Sequence, residues 1–192
     1  MLPKRRTLIA LALAAAAPMA IAQADKTVRI LVGFPPGGSL DTVARLLAEK
    51  MREDLKTNFV IDNKPGAGGN LGAAEAARAT ADGYTLLMAS PPLTISPALY
   101  TKLPYKPEQI VPVGLLGRVP NVLVVNTASG IQSVADLSAR IKAKPGQLNY
   151  ASNGQGTSLH LSAELYKSLS GSFITHIPYR GAAAGLTAVM AD

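Results

Sequence analysis

The sequence predicts an α/β fold in which short buried strands alternate with amphipathic helices. Short, nearly continuous apolar runs such as residues 27–32 are typical of strands buried on both faces of a parallel sheet. Four such runs lead into turns rich in Gly, Pro and Ser, after which apolar residues recur at helical spacing. Repeated strand–turn–helix units favour parallel strands joined by right-handed crossovers.

The first half of the chain is predicted to form one lobe with three strands and two helices. The strands are expected at residues 27–32, 59–62 and 84–89. The helices are expected at residues 40–55 and 71–79, with Ser39 and Asn70 as their N-caps, because these side chains accept hydrogen bonds from the free amides of a helix start.

Regular alternation is interrupted between residues 90 and 126. Prolines at positions 104 and 107 prevent a regular element there, since proline lacks the amide donor and fixes its own φ angle. Two apolar runs follow, residues 110–116 and 122–126. We interpret this stretch as the crossover between two lobes, with lobe one at residues 25–119 and lobe two at residues 120–192.

Lobe two resumes the alternation of helices and strands. Helices are predicted at residues 134–143, 159–169 and 182–190, and strands at residues 148–151 and 173–177. The last helix has no glycine cap, basic last turn or following proline, and two strands are too few to cover the helices. The sequence therefore predicts that the second lobe is incomplete.

Residues 1–24 have the organisation of a secretory signal peptide. A basic segment, Lys4 to Arg6, precedes an apolar segment of ten residues, and small residues follow Pro18. The apolar segment is too short to span a bilayer as a helix. Cleavage is expected after Ala24, or alternatively after Ala22, which places the mature protein in the periplasm.

Net charge and the counts of cysteine and histidine indicate which classes of ligand and partner the exported chain can have. Of 19 Lys and Arg residues three lie in the signal, so 16 basic and 12 acidic residues leave the mature part with a net charge of +4. This mild excess suits an anionic ligand, and no cluster of basic and aromatic residues points to nucleic acid. The chain has no cysteine, so neither disulfides nor a lipid anchor are expected, and two histidines give no metal-ligand spacing.

The four turns are the most informative feature of the sequence. We name them turn one (33–39), turn two (63–70), turn three (152–158) and turn four (178–181). Each places uncrowded backbone amides before a helix, where the first N–H groups lack partners and the helix dipole favours an anion. They predict a receptor for small anionic molecules.

Individual side chains in and near these turns leave alternatives open. Asp41 lies in a first helical turn, where we expect a structural role because it would repel an anion. Ser158 could serve an exported hydrolase, although His160 is only two residues away and no G-x-S-x-G motif is present. Arg180 could pair a carboxylate bidentately or remain a solvated loop charge.

The turns, in this order, resemble the Bug family of periplasmic solute receptors, which serve tripartite tricarboxylate transporters. The matching segments include VGFPPGGS at residues 32–39, NKPGAGGNLG at 63–72, DGYTLL at 82–87, PGQLNYAS at 145–152, GTSLHL at 156–161 and HIPYRG at 176–181. The likeness extends from about residue 26 to the last residue.

This resemblance implies a two-lobed fold of the periplasmic-binding-protein type (type II) that closes over a small organic acid. We expect a monomer without cofactor, metal or enzymatic activity that serves the membrane subunits of a transporter. A receptor that feeds a membrane kinase is an alternative that the sequence leaves open. The ligand-binding residues that the resemblance implies are Phe34, Gly38, Ser39 and Ser90 in lobe one, and Ser152, Asn153, Thr157, Tyr179 and Gly181 in lobe two.

Overall fold

The computed structural model describes residues 26–191, so the predicted signal peptide at residues 1–24 lies outside the described residues. Two separate parallel sheets organise this part of the chain. Among residues 26–191, no helix combines the length and the apolar character needed to cross a membrane.

The first sheet has three parallel strands in the order β2-β1-β3. These strands are β1 (Val28–Val32), β2 (Phe59–Asn63) and β3 (Thr85–Met88). Helix α1 (Ser39–Leu55) joins β1 to β2, and helix α2 (Asn70–Arg78) joins β2 to β3. The three predicted strands and two predicted helices are confirmed, with ends that differ by one or two residues.

The core of the first lobe forms where α1 packs on the sheet. Ile30, Val32 and Phe59 from the strands meet Ala44 and Ala48, which lie one turn apart on α1 and are almost completely buried. Small side chains at these two positions let the helix approach the sheet closely, so that the interface packs without a gap. This packing holds α1 against the sheet directly after turn one.

Two predicted helix caps are wrong. The N-cap of α1 is Gly38, so Ser39 is already the first helical residue, and the Asp41 carboxylate accepts the free Gly37 amide instead. The N-cap of α2 is Gly69, and the Asn70 side chain accepts a hydrogen bond of 2.9 Å from the Tyr105 hydroxyl. At α2 a tertiary contact takes the Asn70 side chain that the local pattern assigned to capping, whereas α1 begins one residue earlier than predicted, so that Ser39 lies inside the helix.

The stretch after β3 contains a helix that was not predicted from the sequence. Helix α3 (Pro92–Leu99) begins with Pro92 in the first turn, where the missing amide would have had no partner in any case. Residues 110–126 have neither helix nor strand, and their apolar side chains are largely exposed. The predicted lobe boundary at residues 119 and 120 falls in this segment and stays a prediction.

The second sheet has two parallel strands, β4 (Asn149–Ser152) and β5 (Thr175–Pro178). Helix α4 (Val134–Ala143) precedes β4, helix α5 (Ser158–Ser170) joins the two strands, and helix α6 (Ala182–Ala191) follows β5. The predicted order of helices and strands is confirmed here too, and the predicted bounds of α4 agree with the structure.

Candidate binding site between the two lobes

All four turns lie at the carboxyl ends of parallel strands, and the turns of the two lobes meet. Turns one and two follow the neighbouring strands β1 and β2, and turns three and four follow β4 and β5. The contact is close: a Cβ atom added to Gly68 would lie 2.7 Å from the Gln155 carbonyl oxygen, and one added to Gly181 would lie 3.2 Å from the Pro35 ring. Carboxyl ends of parallel strands are where open α/β sheets bind ligands.

A cavity of about 50 Å³ lies between turn one and turn four. Five predicted binding residues line it, together with Arg180; the five are Phe34, Gly38, Ser39, Asn153 and Gly181. The starts of two helices also line it, with Ser39 and Leu40 from α1 and Ala182 and Ala183 from α6. Because helix starts carry a partial positive charge and Arg180 a full one, the cavity favours an anion.

The remaining predicted binding residues lie outside this cavity. Ser90 lines a smaller cavity of about 20 Å³, which is built by residues of the first lobe and shares Phe34 with the larger one. Tyr179 is half-buried, and its amide donates to the Ser152 carbonyl oxygen over 2.9 Å. Tyr179 thereby ties turn four to turn three.

Ser152 and Thr157 are almost completely buried, and their hydroxyls hold turn three together. The Thr157 hydroxyl donates to the Gly154 carbonyl oxygen over 2.7 Å and caps helix α5 by accepting the His160 amide. The Ser152 hydroxyl accepts the Gly154 amide over 3.1 Å. Both side chains position the turn rather than reach into the cavity.

Asn153 carries a buried polar atom at the cavity. Its Oδ1 atom is one of two buried side-chain polar atoms without a hydrogen-bond partner among residues 26–191. An unpaired buried acceptor costs free energy, so a donor that reaches it gains the corresponding interaction. Asn153, a residue that lines the cavity, therefore holds an acceptor that no donor of the described residues satisfies.

Asp41 holds turn one in place through hydrogen bonds that its carboxylate accepts outside the cavity. Its carboxylate accepts two hydrogen bonds from Arg45, one from the Gly37 amide and one from the Asn63 side chain, each of 2.9 Å. The same Asn63 nitrogen donates to the Phe34 carbonyl oxygen over 3.0 Å. The hydrogen bonds from Arg45, helped by those from Gly37 and Asn63 and opposed by burial, lower the pKa of the Asp41 carboxyl to about 2.

Sequence reasoning assigned Asp41 a structural role but missed its partners. The Asp41–Arg45 spacing of four residues is a recognisable signal for an ion pair on one helix face. No local signal pointed to Asn63, which lies at the end of β2 and reaches Asp41 only through the parallel pairing of β1 and β2. The negative charge of Asp41 is thus balanced by Arg45, and this carboxylate does not line the cavity.

A cluster of titratable groups packs against turn three, and the sequence did not predict it. The Ser152 hydroxyl and His176 Nε2 share a hydrogen bond of 2.6 Å, and the His176 ring stacks on Tyr150 with centroids 4.8 Å apart. His160 lies against His176 with ring centroids 4.4 Å apart, and its Nδ1 accepts the Gly156 amide over 3.3 Å. Burial, together with His160, lowers the pKa of His176, whereas Glu164 raises it.

The residues proposed for a hydrolase do not meet. The Ser158 hydroxyl donates to Asn121 Oδ1 over 3.3 Å, while His160 is engaged by Gly156. In the described part of the chain, the serine whose hydroxyl shares a hydrogen bond with a histidine ring is Ser152, and this residue is 2% exposed. A nucleophile must reach its substrate, so a serine enclosed to this degree is poorly placed for attack.

The chain is similar to known solute receptors along most of its length. Residues 43–192 match the tripartite tricarboxylate transporter receptor family, TctC. Protein BugT of Bordetella pertussis is 42% identical over 159 residues, which are 81% of this chain and 49% of BugT. A UPF0065 protein of the same organism is 40% identical over 98% of this chain and 58% of its own length.

Two solved structures are also similar to this chain. R. palustris Rpa4515, solved with adipate, has a TM-score of 0.81 at 37% identity and covers 85% of this chain and 55% of its own. MatC from Rhodopseudomonas palustris, solved with bound malate, has a TM-score of 0.75 at 30% identity, with coverage of 85% and 56%. This chain therefore spans about half the length of the relatives it matches, and it belongs to the tripartite tricarboxylate transporter receptor family, as its resemblance to the Bug proteins implied.

Proposed function

We propose that this protein is a periplasmic receptor that captures a small organic acid between its lobes and delivers it to the membrane subunits of a tripartite tricarboxylate transporter. The observation that carries the proposal is the cavity between turns one and four, lined by two helix starts and by Arg180. The adipate and malate bound by two relatives support a carboxylate as the ligand.

Backbone amides are the main carboxylate ligands in this proposal. Gly38 and Ser39 bring the start of α1 to the cavity, and Gly38 adds no side chain that would cover those amides. Gly181 does the same for the start of α6 from the second lobe. Amides that are fixed before the ligand arrives bind an anion without losing further conformational entropy.

Ligand entry requires turns one and four to separate. Pockets that hold small molecules usually have volumes on the order of 300–1,000 Å³, whereas the cavity between the turns has about 50 Å³. The lobes are already in contact through Gly68 and Gln155, so a bound acid would join surfaces that fit closely. Such an arrangement sequesters the ligand from water, which strengthens its polar contacts.

The other binding residues implied by the resemblance do not line the larger cavity. Ser152 and Thr157 hold turn three, Tyr179 joins it to turn four, and Ser90 lines the neighbouring cavity of the first lobe. We propose direct ligand contacts for the cavity-lining group and positioning roles for Ser152, Thr157 and Tyr179. The receptor is exported through its signal peptide and acts as a monomer without enzymatic activity.

Isothermal titration of the purified mature protein with mono-, di- and tricarboxylates tests this proposal. We expect saturable binding of at least one acid, and chromatography of the mixture should return the acid unchanged. Conversion of an acid or ester would instead favour the exported hydrolase. Uptake that depends on membrane permease subunits separates a transport receptor from one that feeds a membrane kinase.

A further inference from the structure

Arg180 is the charged residue among the described residues that line the cavity, and none of those residues is Asp or Glu. It lies in turn four, directly after β5 and before Gly181, whereas Gly38 and Ser39 line the cavity from the first lobe. Within residues 26–191 its guanidinium has neither an ion-pair partner nor a hydrogen-bond partner, and the residue is exposed. A cation in this position is available to a ligand.

Arg45, the arginine near turn one, is already paired with a carboxylate. Arg45 makes two hydrogen bonds of 2.9 Å to the Asp41 carboxylate and a third, of 3.2 Å, to Asn63. The charges of Arg45 and Asp41 therefore balance each other behind turn one. The field at the cavity is left with one full positive charge, on the second lobe, and the partial charges of the helix starts.

We infer that Arg180 recognises a second carboxylate of the ligand and so makes the receptor selective for dicarboxylates over monocarboxylates of equal length. This inference rests on the proposed function. One carboxylate is held by the amides at the start of α1, and the other pairs with the guanidinium across the cleft. The acid then links the two lobes, and a monoacid of the same length leaves Arg180 unpaired.

The chemistry of the guanidinium suits this role. Arginine presents a planar set of donors that matches both oxygens of a carboxylate, and such bidentate pairs are stronger than neutral hydrogen bonds. Lysine supplies the same charge without that geometry. Closure of the cleft would remove water from the pair, so that it exceeds an ordinary surface ion pair.

The test compares two pairs of ligands, adipate with hexanoate and glutarate with pentanoate, by isothermal titration of the mature protein. The wild type should bind the diacid about tenfold more tightly or better, the size expected for a charge-assisted pair. Arg180→Gln should remove most of that preference while changing the affinity for the monoacid by less than about threefold. Arg180→Lys should retain an intermediate preference.

Arg118→Gln is the matched control, because Arg118 is exposed and lines neither of the two cavities. It should leave both affinities unchanged, and thermal unfolding should show that each variant is folded. The inference is overturned if the wild type does not favour the diacid, or if Arg180→Gln leaves the ratio of the two affinities unchanged. If the folded wild type binds no organic acid at all, the proposed function fails together with the inference.

Discussion

Replacing Asp41 with Asn should destabilise the protein by about 2 kcal/mol. The four hydrogen bonds to its carboxylate come from Arg45, Gly37 and Asn63, and they lower the carboxyl pKa from an ordinary value of 3.8 to about 2. At about 1.4 kcal/mol per pH unit, this lowering means that the folded state favours the ionised form by about 2 kcal/mol. Asn keeps the shape of the side chain but cannot carry that charge.

Urea unfolding at pH 7 measures this difference, with Asp54→Asn as the control. Asp54 lies on the same helix and pairs with Lys50, but its side chain is 58% exposed, so its loss should change stability by less than about 0.5 kcal/mol. Because the folded-state pKa of Asp41 is lowered, its stabilisation is complete above pH 3.8 and disappears as the pH falls to about 2. Equal stability of Asp41→Asn and the wild type at pH 7 would refute the reasoning.

Three further predictions concern the cleft and the cluster beneath it. Gly68→Ala and Gly130→Ala both force alanine to a positive φ, +64° and +69°, but only Gly68→Ala places a Cβ against Gln155, at 2.7 Å. Titration should therefore show an affinity loss of about tenfold for Gly68→Ala alone, and equal affinities of the two variants would contradict the contact. Gly38→Val has no atom closer than 3.9 Å to its new Cβ, so the variant should fold yet lose about 2 kcal/mol of binding as the α1 amides are covered; unchanged affinity would exclude turn one from the site. Burial lowers the pKa of His176, so its contribution to stability is present above pH 6.5 and is lost as the pH falls below it; His176→Gln should therefore flatten the unfolding free energy between pH 7 and 5, and an unchanged pH profile would contradict this.

The sequence predicted the elements of the fold well because their signals are local. The bounds of α4 follow from Ser133, whose hydroxyl accepts the Asp136 amide and caps the helix, and from the apolar spacing that follows. Helix α3 was missed because regular alternation was expected to stop between residues 90 and 126, although Pro92 stands where a helix tolerates proline. Local signals therefore located the turns but could not settle every helix.

The site depended on contacts that no local pattern contains. Parallel pairing of β1 with β2 brings Asn63 to Asp41, and pairing of β4 with β5 brings His176 to Ser152. The turns were predicted to bind an anion one by one, whereas the cavity arises only where turns one and four face each other. Nothing in the spacing of Ser152 indicated that its hydroxyl is buried against a histidine.

Calorimetric titration of the mature protein with a panel of organic acids tests the central claim most directly. The account predicts saturable, one-to-one binding of a carboxylate, with an affinity that falls in Gly38→Val and persists in the Gly130→Ala control. A folded protein that shows no binding to any acid of the panel would contradict it. So would binding that is insensitive to both Gly38→Val and Gly68→Ala, since the acid would then lie outside the cleft between the turns.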